Sequence, residues 1–224
     1  MTKLKKHWRR WVLVGILMDC VVLLFSHRIF GASNVTISGA ESLERLDGSS
    51  LDADGRVNGI FTVGGNLTLA PGGQITCGSS SSPAGPCAVR LAVGGNLEML
   101  PASAILSGQA AGTGGPIEIA VGGDFTMRGP AGGSPGARIR ASECGTSSGG
   151  AIEIYAVGQV ATEPGSDIVS DAAVEGGEIA ITAAATRIRG DLSARATTAA
   201  GRPGAIALAS PGDAASAADA RHRS

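Results

Sequence analysis

Two short strings hold the residues best suited to chemistry. "IEIA" sets Glu118, and "IEIY" sets Glu153, between apolar neighbours, and "VRLA" sets Arg90 at the same point. Alternation of apolar and polar residues marks a half-buried strand and turns all three charges outward. If these strands lie side by side, outward neighbours stand about 5 Å apart. Glu118 and Glu153 then form a carboxylate pair, and retaining glycoside hydrolysis uses carboxyls about 5–5.5 Å apart. Arg90 and Glu118 form a surface ion pair worth about 0–1 kcal/mol. Two features argue against catalysis. The interval from Ile119 to Ile154 is 35 residues and carries an insertion, and Tyr155 is the single aromatic nearby. A solvated polar face is the simpler reading, and no catalytic residue is assigned.

Other chemistries fail for want of groups. All three lysines lie in the first six residues, and no histidine falls between His27 and His222. This leaves no Ser-His-Asp triad, no lysine base and no histidine metal cluster in the body. There is no CxxC pair, no GGxGxD calcium repeat and no GK[ST] phosphate loop. Neither a cofactor nor a metal is expected. Cys77 and Cys87 bracket "GSSSSPAGP" and are candidates for a disulfide in an oxidising compartment, or else two unrelated residues flanking a loop. Cys144 is left over as a free thiol.

The elements that position these residues are written as repeats. "TVGGNLTLA" begins at Thr62, "AVGGNLEML" at Ala92 and "AVGGDFTMR" at Ala120. Aligning the strand before each turn gives an inward column of Phe61, Leu91 and Ile119. It continues through Ile154, Ile181 and Leu208, and backwards to Ile37. The intervals are 24, 30, 28, 35, 27 and 27 residues. A period near 27 signals a repeat architecture. Each period holds a strand before the VGG turn, a second such as "NLTL", and a third centred on Ile75, Ile105, Ile139 or Ile168. Gly and Pro mark the corners. Three strands per period, in register, specify an all-β parallel solenoid of about six to seven rungs, roughly 30 Å long. The glycine pairs Gly64–Gly65, Gly94–Gly95 and Gly122–Gly123 supply either positive φ or close approach at one corner. Asn66, Asn96 and Asp124 follow them in a stack, read as a structural ladder bonding to turn backbone rather than a cation site.

Composition agrees. Hydrophobic residues make up 43% of the 224, aromatics only 3%, and there are 35 glycines. A core of stacked Val, Ile, Leu and Ala needs few aromatics. The basic start "MTKLKKHWRR" and the apolar run Trp11–Phe25 read as an export signal. Residues 1–33 are either a signal peptide cut after Ser33 or an uncleaved signal-anchor holding the chain in the inner membrane by residues 11–30. Residues 34–210 form the solenoid and 211–224 a polar tail. Beyond residue 33 there are 18 acidic residues and 12 arginines, which argues against nucleic acid or anionic lipid as partner.

"VGGNLTLAPGGQIT" and "AVGGDFTMRGPAGG…ARIRA…GGAIEIYAVG" resemble the right-handed parallel β-helices of filamentous-haemagglutinin-type adhesins of Gram-negative bacteria. The similarity covers about Asn34 to Ser210. It implies a right-handed coil and an exported, non-catalytic protein of the cell surface, acting in adhesion or as a scaffold. The family's NPNL and NPNG secretion motifs are absent. Its partner is an unidentified surface ligand or another copy of the chain. Two alternatives come from other solenoids. One is a polysaccharide lyase or hydrolase, with Arg and Asp acting on uronates. The other is a self-assembling polymer similar to a bactofilin.

Overall fold

The structure is a computed structural model that describes residues 35–37, 42–44, 50–51, 57–77, 88–107, 114–141 and 148–210. Residues 1–33, where a signal segment is expected, Cys87, Cys144 and residues 211–224 lie outside these residues. Cys77 closes a described strand, but the expected pairing with Cys87 falls outside the described residues.

Every strand pair but one among the described residues is parallel, and the strands fall into three ladders. The first stacks β4 (Val57–Val63), β7 (Ala88–Val93), β10 (Ile117–Val121), the start of β13 (Ile152–Thr162), the start of β15 (Ile179–Ile188) and β17 (Ile206–Ala209). The second stacks β1 (Val35–Ile37), β5 (Leu67–Leu69), β8 (Leu97–Met99), β11 (Phe125–Met127) and the ends of β13 and β15. The third stacks β2 (Ser42–Glu44), β6 (Gln74–Cys77), β9 (Ala104–Ser107), β12 (Arg138–Arg140), β14 (Asp167–Val169) and β16 (Asp191–Ser193). The chain visits the ladders in turn, so each strand pairs with its equivalent one coil on. This is a parallel β-solenoid.

Register follows the apolar pattern. Phe61, Leu91, Ile119, Ile154, Ile181 and Leu208 are successive Cα partners. Ile75, Ile105, Ile139 and Ile168 stack in the third ladder. All of these but Leu208 are buried, and the apolar side chains of the three ladders merge into one core. Slipping a strand by one residue would turn its apolar set out to water, so the alternation fixes the register.

Ile37 departs from the sequence reading. It pairs with Leu69 in the second ladder, not with Phe61 in the first. The reason is local. "NVTI" has the same pattern as "NLTL", an Asn followed by two apolar residues around a Thr, and so builds the post-turn strand. In the first ladder, β3 (Ser50–Leu51) runs antiparallel to β4 and is the exception to the parallel rule.

Candidate functional site

None of the six VGG glycines has a positive φ; among the described glycines only Gly72, Gly132, Gly133 and Gly165 do. Close approach is the operative half of the sequence reading. A Cβ at Gly94 would collide with the Gly64 carbonyl oxygen, and one at Gly122 with that of Gly94. The backbones stand this near because the Gly94 and Gly122 N–H groups donate to the Val63 and Val93 carbonyls, each at 2.7 Å. Asn96 N–H donates to Asn66 Oδ1 at 2.7 Å, and Asp124 N–H to Asn96 Oδ1 at 2.9 Å. Gln159 N–H completes the series on Asp124 Oδ1 at 2.8 Å. The side chains therefore tie each turn to the next coil, where the sequence suggested bonds within a turn. Gly95, Gly123 and Gly158 leave room for these oxygens: a Cβ at Gly95 would strike Asn66 Oδ1, one at Gly123 would strike Asn96 Oδ1, and one at Gly158 would strike Asp124 Oδ1.

One coil on, Val157 stands where Gly122 stood. There the bend disappears, and β13 runs unbroken from Ile152 to Thr162, joining the first and second ladders in one sheet. The next step, Ala156 to Gln159 against β15, carries a register shift. The glycine corner and its ladder thus end together.

The outward face of the first ladder holds the candidate acid–base groups. Ile60, Arg90, Glu118, Glu153, Ala180 and Ala207 follow one another in register. Arg90 Nε lies 3.1 Å from Glu118 Oε2. The Glu153 residue is exposed, yet its carboxyl pKa is raised. Partial loss of hydration is the largest cause, followed by repulsion from Glu118 and from Glu178. Tyr155, 40% exposed, sits between its register partners Ala120 and Thr182. A carboxyl that resists ionisation beside an ion-paired carboxylate is the arrangement of an acid with its partner. The surround of Ala and Thr gives a substrate little to grip.

Several contacts went unread in the sequence. Arg128 binds Glu98 and Glu163 at 2.8 Å each, across three coils. Glu163 also accepts from Gly129 N–H at 3.0 Å, and that bond and Arg128 lower its carboxyl pKa. A second glycine column precedes the first ladder. A Cβ at Gly150 would strike the Gly115 carbonyl oxygen, one at Gly177 that of Gly150, and one at Gly204 that of Gly177. The signal for it is the string "GGPIEI", "GGAIEI", "GGEIAI" and "PGAIAL". Beside it, the buried Ser107 and Ser170 donate their hydroxyls to the carbonyls of Gly115 and Gly150. No buried side-chain polar atom among the described residues lacks a partner.

No group of three or more His, Cys, Asp or Glu side chains among the described residues is placed to hold a metal ion. No family model matches the chain, and no curated protein or solved structure shows significant similarity to it.

Proposed function

We propose that the chain is an exported, non-catalytic β-solenoid that serves in cell-surface adhesion or as a structural scaffold, with the coil wound right-handed as in the filamentous-haemagglutinin-type proteins it resembles. The observation that carries this reading is the use made of the repeated residues. Gly94, Gly122, Asn96 and Asp124, the most insistent motif in the sequence, are engaged in stacking one coil on the next. The repetition needs no ligand to explain it. The basic, apolar N-terminal segment supplies the export signal. Fold alone does not fix activity, so the test has two parts. Cells making the full chain are treated with protease before lysis, and the purified chain is assayed on acidic polysaccharides. Digestion of the solenoid from outside, with no turnover, is expected. A protease-resistant cytoplasmic pool would refute export, and turnover would refute the non-catalytic reading.

One observation favours a second reading, a polysaccharide hydrolase. It is the Glu118–Glu153 pair, in which the raised carboxyl of Glu153 stands beside a carboxylate bound by Arg90. Turnover that vanishes in both Glu118→Gln and Glu153→Gln would establish it.

A further inference from the structure

The last described coil is open on one side. The second half of β15, β16 and β17 each pair with a strand of the preceding coil and, among the described residues, with none beyond. Ile206 and Leu208 continue the interior columns of Ile179 and Ile181. Those two are buried, whereas Ile206 is 38% and Leu208 39% exposed. Sheet edges of soluble proteins are usually guarded by lysine, proline or a bulge. The sequence "IALA" of β17 carries none of these. Residues 211–224 contain no Val, Ile, Leu, Met or aromatic residue, so they offer nothing like another Ile or Leu rung.

We propose that this end docks on the same end of a second copy, related by a two-fold axis through β17. Three features select that occupant. The opposite end is a poor mate: Ile37 in its edge strand is only 3% exposed, and β3 already lies against β4. An antiparallel pairing of two β17 strands centred on Ala207 sets Ile206 opposite Leu208 of the second copy. Cross-strand partners share a face, so both interior columns then continue into the partner. Ala207 and Ala209, which alternate with them, are too small to obstruct the approach.

Charge supplies the third feature. A two-fold through the first ladder exchanges the other two faces of the coil. Arg187 and Arg189, at the end of the second ladder, then come over Asp191, at the start of β16 in the second copy. None of these three makes an ion pair among the described residues. The contact is isologous and therefore closes at the dimer.

The test uses the full chain in mild detergent, with sedimentation to give the mass and Ala207→Cys to report the contact. Residues at the centre of an antiparallel pair lie about 4.5–5.5 Å apart at Cα, within disulfide range. The expected result is a dimer that oxidation links through position 207 of both chains, as mapped by mass spectrometry against the unsubstituted chain. Leu208→Glu should weaken the dimer by about tenfold or more while leaving the far-ultraviolet circular dichroism unchanged. Asp191→Arg should also weaken it, and Val157→Glu, at an exposed site in β13 two coil steps before β17, should not. A monomer at every concentration would overturn the proposal. So would growth beyond dimers without a link through position 207, which is the signature of head-to-tail stacking.

Discussion

Adding one methyl group at Gly94 should destabilise the solenoid more than a larger change on an open loop. The Cβ of Gly94→Ala would overlap the Gly64 carbonyl oxygen and stand 3.1 Å from the Gly64 carbonyl carbon and 3.5 Å from its Cα. All three are backbone atoms of the coil beneath, so no side chain can swing away. Overpacking of this kind costs about 1–3 kcal/mol. Separating the coils also weakens the 2.7 Å bond from Gly94 N–H to the Val63 carbonyl, worth about 0.5–1.5 kcal/mol. Stiffening the unfolded chain returns about 0.4–1 kcal/mol. Taking the middle of each range, the net loss is about 2 kcal/mol, or a fall in Tm of about 4–8 °C for a chain of this size. Thermal unfolding followed by circular dichroism measures it. The control is Gly132→Asn. Gly132 has φ +60 and no atom within 4 Å of its Cβ position, and Asn tolerates that backbone, so its change should stay within about 0.5 kcal/mol. A Gly94→Ala protein as stable as the control would refute the stacking role of the corner glycines.

Three more outcomes are expected. Asn96→Ala removes the acceptor for Asp124 N–H and should lower stability by about 1 kcal/mol, whereas Asn96→Asp, which keeps an oxygen there, should cost less; denaturant midpoints distinguish them. Phe125→Ala empties a fully buried site between Leu97 and Val160 and should cost about 3–5 kcal/mol in the same assay. Glu153 has a raised carboxyl pKa in the fold, so its contribution to stability falls as pH climbs from the ordinary carboxylate range through that raised value. Glu153→Gln should therefore raise Tm at neutral pH, with the advantage shrinking as the solution is acidified, and a pH-independent difference would contradict this.

Much of the fold was legible because the chain repeats itself. The column from Phe61 to Leu208 could be read from its intervals, since each strand must present the same face to the same interior. Ile37 was misplaced because counting backwards along one column ignored the pattern "NVTI" shared with "NLTL". The corner motif was visible, but the direction of its bonds was not. Asn66 Oδ1 accepts from a residue 30 positions along, and only the stacked backbone shows that this group is nearer than the turn's own. The buried serines went unnoticed for a similar reason. Ser107 meets the carbonyl of Gly115, 8 residues on, and Ser170 that of Gly150, 20 residues back, across loops whose lengths differ. The outward charges Arg90, Glu118 and Glu153 were placed correctly by alternation alone. The upward shift of Glu153 was not, because its largest cause is partial loss of hydration, which alternation does not reveal, with repulsion from Glu118 and Glu178 behind it.

The parallel, in-register stacking of coils is tested most directly by the spacing of Thr68 and Thr126. Both face outward on the second ladder, and each is a register partner of Glu98. Two coil steps separate them, or roughly 10 Å between Cα atoms. Spin labels on Thr68→Cys and Thr126→Cys, with the native cysteines replaced by serine, would report the distance by electron paramagnetic resonance. Strong dipolar broadening, of the kind two labels about two strand spacings apart produce, is the result predicted. Labels more than about 20 Å apart, beyond four strand spacings, would contradict the stacked coil.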